Sequence, residues 1–163
     1  QLQNQYATTT TIPDSHGPLI QTEFKVELHG VGVPGFVEVE LPAMRTQQVE
    51  YREGNDPSHN RKLWGDTQYD DLVLVRGANE KNEALYKWRK AVDQGKMDDG
   101  GRKNIAVIIM NEVGDSVLRF EFTKAWIKEY RPPTLNAHGG GGQGNLATES
   151  YVVTFDEMER KNV

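Results

Sequence analysis

Alternation of apolar and charged residues at a period of two recurs along this chain and commits most of it to strands. Phe24, Val26 and Leu28 alternate with Glu23, Lys25 and Glu27; Val37, Val39 and Leu41 alternate with Glu38 and Glu40. Val49 and Tyr51 alternate with Gln48, Glu50 and Arg52, and Leu118, Phe120 and Phe122 with Arg119, Glu121 and Thr123. Successive strand side chains point to opposite faces, so each stretch predicts an antiparallel strand with one face in the core and one wet. A last strand places Tyr151, Val153 and Phe155 on one face, with Ser150 and Thr154 on the other. Gly30, Gly32, Pro34 and Gly35 punctuate the first pair. The phase blurs through Ala125, Trp126 and Ile127, where a bulge or a switch between sheets is expected.

Two runs break the alternation. Leu72–Val75 and Ile105–Met110 (IAVIIM) are continuously apolar. Such strands are covered on both faces, one by the core and the other by a helix, a second sheet or a neighbouring subunit. One helix is expected, from about Glu80 to Gln94. Asn79 is its candidate N-cap, Glu80 and Glu83 suit the positive end of the helix dipole, and Gly95 suits its C-terminal turn. Ala84, Leu85, Trp88, Ala91 and Val92 make one apolar stripe at helical spacing, with Glu83, Lys87 and Lys90 facing away. Many short strands with one amphipathic helix indicate a mainly β fold: a two-sheet antiparallel β-sandwich or barrel with one flanking α-helix.

Length and composition limit the rest. At 163 residues the chain suits one domain with a single substantial core. Residues 1–18 are expected as an N-terminal extension and 19–163 as the domain, with a glycine-rich loop at 134–145. A net charge of −5 argues against a general nucleic-acid binder. Without cysteine there are no disulfides and no thiolate metal ligands. Neither a membrane span nor a signal-peptide core is expected from the hydropathy pattern.

Chemistry finds little support. HGGGGQG at 138–144 lacks the lysine and hydroxyl of a phosphate loop and precedes a strand rather than a helix. His16, His29, His59 and His138 lie in separate turn regions at no metal-ligand spacing. Asp70–Asp71 and Asp98–Asp99 are adjacent in sequence, which on a strand sends their side chains apart. Ser58, Ser116 and Ser150 have no nucleophile-elbow setting. No enzyme, cofactor or metal is therefore expected. Arg61, Lys62 and Trp64 with Lys87–Lys90 mix cations and aromatics as single-strand binders do, but Trp88 belongs to the core stripe.

The stretch Val49 to Gly77 points elsewhere. Its middle is too polar to build a core and too long for an ordinary turn, so this arm, Arg52 to Asp66, calls for support outside its own subunit. Tyr51-Arg52-Glu53-Gly54, Lys62-Leu63-Trp64-Gly65, an aromatic strand and the Arg76-Gly77 stop precede the helix with Leu85 and Trp88. In this order and spacing, from about Phe24 to the C-terminus, the chain resembles the inner tube protein of contractile injection machines. That family comprises tail tubes of contractile-tailed bacteriophages and of phage-like extracellular injection particles. The chain departs from the family pattern at Trp64, where a small residue or proline is more usual, and at the glycine run.

The resemblance implies six-membered rings stacked into a hollow tube, driven through a target envelope by a contracting sheath. It implies sheath, baseplate or spike, and terminator partners, and DNA, protein cargo or a tape-measure protein in the lumen. It places the chain in a virion tail or in an injection particle assembled in the cytoplasm and acting outside the cell. Ring stacking is expected from Tyr51, Arg52, Glu53, Asn55, Asp56, His59, Arg61, Lys62, Trp64 and Asp66, with residues 1–18 and the 134–145 loop as further candidates. Sheath contact is expected from Glu83, Lys87, Lys90, Asp98 and Asp99. For the lumen two linings stand open: Glu23, Lys25, Glu27, Glu38 and Glu40, or Arg119, Glu121 and Thr123. The competing readings are a secretion-system tube of related shape without the long arm, and a monomeric β-sandwich binding module for a glycan or protein.

Overall fold

The computed structural model describes residues 23–52, 54, 60–78, 81–137 and 147–163. The N-terminal extension, Glu53, Asn55, Asp56, Ser58, His59, Asn79, Glu80 and most of the glycine-rich loop lie outside them. Strands β1 (Phe24–Leu28), β2 (Val31–Val33), β3 (Phe36–Glu40), β4 (Met44–Tyr51), β5 (Arg61–Tyr69) and β6 (Leu72–Gly77) precede helix α1 (Ala84–Asp93). After it come β7 (Lys103–Met110), β8 (Ser116–Arg131), β9 (Thr148–Thr154) and β10 (Glu157–Asn162). Eight strands form one antiparallel sheet in the order β2-β1-β7-β8-β9-β6-β3, with β10 also paired to β8; β4 and β5 form a separate two-stranded ribbon.

The long strand β8 makes two sheets of this one. Its first half pairs with β7 and β10, its second half with β9. The change falls at Lys124, which takes a left-handed φ of 49° beside a register irregularity between Lys103 and Ile105. This is the switch that the blurred phase near Ala125 predicted. The two halves face each other across the core. Val26, Leu28, Ile105, Val107 and Phe122 come from one; Leu72, Leu74, Ile127, Tyr151 and Val153 come from the other. Phe122 and Phe155 meet edge to face at 4.8 Å. Among the described residues β2 and β3 end the strand order unpaired, so the sandwich does not close into a barrel.

Helix α1 contributes Leu85 and Trp88, the buried centre of the expected stripe. It is shorter than expected and starts where the Asn82 side chain accepts the Ala84 N–H at 2.9 Å. It ends in a Schellman turn: the Gly95 and Lys96 N–H groups bond to the Val92 and Ala91 carbonyls, with Gly95 at φ +73°. The Trp88 indole donates to the Gly101 carbonyl at 2.6 Å, through the wide turn Met97–Gly101 that follows. A side chain at position 101 would collide with the Lys96 carbonyl, so glycine is required there.

Four expectations change. Lys62–Gly65 is not part of a loop: β5 begins at Arg61, so the Arg61–Asp66 end of the expected 52–66 arm is strand paired with β4. β4 has no core face, and Val49 remains 48% exposed. The second face of Leu72–Val75 is only half covered, since Val73 and Val75 are half-buried. Strand β10 escaped the pattern because EMERKN holds a single apolar residue, Met158.

Candidate functional site

The candidate surfaces are three, with one buried cluster beneath them, and the first is the hairpin. Its root is pinned: the Arg45 guanidinium meets Asp70 at 3.0 Å, Thr46 and Thr67 share a hydroxyl hydrogen bond at 2.9 Å, and the Asp70 N–H bonds to the Ala43 carbonyl. A register shift between Thr46 and Gln48 then twists the ribbon. Beyond it Val49 lies opposite Leu63 and Tyr51 opposite Arg61, so these four share a face. Gln48 opposite Trp64 and Glu50 opposite Lys62 share the other. Trp64 is 84% exposed and Leu63 47%. The nine residues of β5 span about 30 Å at roughly 3.3 Å each. Of the expected stacking residues, Tyr51, Arg52, Arg61, Lys62, Trp64 and Asp66 are thus on or beside this ribbon. Leu63 and Val49 were not among them, because their pairing across the ribbon becomes visible only once the register is set.

The second surface is the outer face of the β1-β7-β8-β10 half. Register places Glu27, Ala106, Glu121 and Glu159 in one transverse row, and Lys25, Ile108, Arg119 and Lys161 in the next. Arg119 reaches over β7 to Glu27 at 3.2 Å and also holds Glu121 at 2.8 Å. Lys161 joins Glu121 at 2.9 Å. Ala106 and Ile108 lie buried beneath this bridge, which accounts for the second apolar face of IAVIIM without a covering helix. Hydrogen bonds from Lys161 and then Arg119 lower the Glu121 pKa, while bonding to Glu121 raises both cations. The structure thereby merges parts of the two candidate linings: Lys25 and Glu27 sit on the same face as Arg119 and Glu121. Glu38 and Glu40 do not join them. They flank Val75 and Val73 on the outer face of the other half.

The third surface is the solvent side of α1. Glu83 and Lys87 pair at 3.7 Å one turn apart, and the Lys90 ammonium lies 5.7 Å from the Tyr86 ring centroid. Asp98 is exposed in the following turn; the Asp99 side chain lies outside the described residues.

Beneath these surfaces Arg76 and Glu149 form a buried pair at 2.7 Å. Arg76 also donates to the Asn82 carbonyl at 2.6 Å, and the Tyr130 hydroxyl donates to the second Glu149 oxygen at 2.7 Å. The bond to the carboxylate, more than burial, pushes the Tyr130 pKa up to about 12. Burial raises that of Tyr151, the fourth member. The cluster ties the ends of β6, β8 and β9 to the approach to α1, and so anchors the start of the helix to that half of the sandwich.

Among the described residues no three His, Cys, Asp or Glu side chains gather as a metal site would require. Nor is any helix long and apolar enough to cross a membrane.

The chain resembles the anti-feeding prophage cap, a tube-terminating cap, with a TM-score of 0.76 and 20% identity over 96% of this chain and 99% of that one. The sheath–tube complex of PVC, an extracellular contractile injection system in its extended state, gives 0.74 and 18% over 90% and 93%. Hcp1 from Flavobacterium johnsoniae gives 0.52 and 14% over 86% and 95%. At these identities the likeness is one of fold. Among curated protein sequences nothing matches. The family model for the T4-like virus tail tube protein gp19, however, matches residues 20–159. The chain therefore belongs to the tail tube protein family, a structural family and not an enzymatic one.

Proposed function

We propose that this chain is the inner tube subunit of a contractile tail or injection particle, forming six-membered rings that stack into a hollow conduit. One observation carries this reading: beyond its root, where Tyr69 packs on Phe155, the subunit holds out a two-stranded ribbon whose Val49, Leu63 and Trp64 find no core of their own. An unsupported two-stranded ribbon is at best marginal in water, so it calls for a neighbour. The β1-β7-β8-β10 half also ends in unpaired edges at β2 and β10. Joining β10 of one subunit to β2 of the next removes both edges, and a head-to-tail contact that closes by rotation makes a ring.

The ion-paired face of that same half then lines the lumen. Arg119, Glu27, Glu121 and Lys161 on it are paired within the subunit, and Ala106 and Ile108 lie beneath them, which leaves little for passing cargo to adhere to. The ribbon, Trp64 included, stacks one ring on the next. The helix face (Glu83, Lys87, Lys90, Asp98 and Asp99) meets the sheath. Exposed pairs there hold register while remaining releasable, at about 0–1 kcal/mol each. Sheath contraction drives the tube through a target envelope and delivers DNA or protein. Baseplate and terminator proteins cap its ends, in a virion tail or an extracellular particle. Chains of similar fold occur in a tube-terminating cap and a sheath–tube complex, which supports these partners.

Negative-stain microscopy of the purified protein, with and without its co-produced sheath, tests the reading. Rings or tubes are expected, and a monodisperse single subunit at high concentration refutes it. Deleting Asn55–Asn60 is expected to leave a folded subunit with impaired polymerisation. Unchanged filament yield would remove the ribbon from stacking.

A further inference from the structure

The sheet leaves a cleft of about 540 Å³ between β3 and the β1–β7 pair. Val37, Val39 and Leu41 line it from one side, Phe24 and Ile109 from the other, and Glu23 and Glu38 add acid. β3 ends the strand order, so the cleft lies along an edge that has no partner strand among the described residues. A bulge between Phe36 and Glu38 leaves Val37 unpaired within the ladder and 52% exposed. An open strand edge beside an apolar trough is the setting for strand addition, in which main-chain bonds give affinity and side-chain pockets give selectivity.

Resting on the tube reading above, we infer that this cleft receives the Val49–Leu63 face of the β4–β5 hairpin of a second copy. Three observations select that occupant. The hairpin offers an apolar face of strand geometry that stays exposed on its own subunit. Arg61 shares that face, matching the acidic Glu23 and Glu38. The hairpin also starts at Met44, just past Leu41 of its own cleft, yet leaves Val49 and Leu63 exposed. A hairpin that leaves its own cleft and enters the next copy's makes a heterologous contact that repeats without closing, as a stack of rings demands.

The natural chain has no cysteine, so V37C with a benzophenone maleimide attached samples this cleft alone. Tubes are assembled from mixed heavy-isotope and unlabelled V37C protein, imaged, irradiated and mapped by mass spectrometry. Cross-links joining heavy to light chains, from position 37 to peptides covering 49–51 or 61–65, are expected. Links within one chain, links to residues 1–22, or well-formed tubes without links to the hairpin overturn the inference while leaving the tube reading intact. Absence of tubes from the unmodified protein overturns both. V37E, whose unfolding transition should match the parent, is expected to raise the concentration needed for tube growth roughly tenfold, equivalent to ~1.4 kcal/mol. An unchanged threshold counts against the cleft.

Discussion

The sandwich and the hairpin are built from the same residue types, yet only one of them is satisfied by its own chain. In the sandwich Trp88, Tyr151 and Phe122 are at most 1% exposed. The two ionised groups within it, Arg76 and Glu149, have been given partners. In the hairpin Trp64, Leu63 and Val49 remain open to water, while the Arg45–Asp70 ion pair and the Thr46–Thr67 hydrogen bond hold the root. The sandwich fixes the subunit's shape. The hairpin contributes little to that shape and is exposed where a neighbour can use it. Stability of the subunit and stability of the assembly should therefore respond to different substitutions, and three measurements bear on that separation.

The largest expected effect is in the sandwich. Trp88→Ala removes a fully buried ring and leaves the Gly101 carbonyl without its indole donor. Losses of about 3–5 kcal/mol are usual for such a truncation. Denaturant unfolding of the monomer should show it. A loss under about 1 kcal/mol would mean that α1 is not part of the folding unit, and the contrast would fail on its stable side.

How much of this was legible in sequence follows the same division. The helix stripe, β1, β7 and the switch in β8 were visible because core residues impose a period that survives in one dimension. β10 was not, since a strand on the rim needs few apolar residues and Met158 alone sets no rhythm. The ribbon was half visible: Val49 and Tyr51 marked β4, but β5 mixes exposed residues of every type and read as loop. The Arg76–Glu149 pair joins positions 73 apart, and nothing local distinguishes an arginine that will be buried from one that ends a strand. Glu27 and Arg119 were assigned to alternative linings for a similar reason, because only strand order shows that an arm can bridge β7 between them.

An intermediate effect lies at the seam between sheets and helix. Tyr130 holds its proton more tightly folded than unfolded, with its pKa raised from 10.0 to about 12 by the bond to Glu149. A raised folded pKa stabilises fully below the unfolded value and is lost as pH climbs through the folded one. Stability should therefore fall as pH rises from about 10 to about 12. Tyr130→Phe should flatten that fall, and at neutral pH it leaves a Glu149 oxygen without its donor, costing about 1–3 kcal/mol. A pH profile identical to the parent's would sever the tyrosine from the cluster.

The smallest effect on the subunit is expected where the effect on assembly is largest. Trp64→Ala takes away a ring that is 84% exposed and touches no core. Substitutions at such positions usually stay within about 0.5 kcal/mol, so monomer unfolding should hardly move. At an interface the same ring is a concentrated source of binding energy, and truncations of buried tryptophans there cost about 2 kcal/mol or more. Tube yield measured by sedimentation should accordingly fall while the unfolding midpoint holds. If both stay constant, the indole is ornament and stacking rests on the opposite, Val49–Leu63 face. If both fall together, the hairpin supports its own subunit after all, and the division between a self-sufficient sandwich and a neighbour-dependent ribbon collapses.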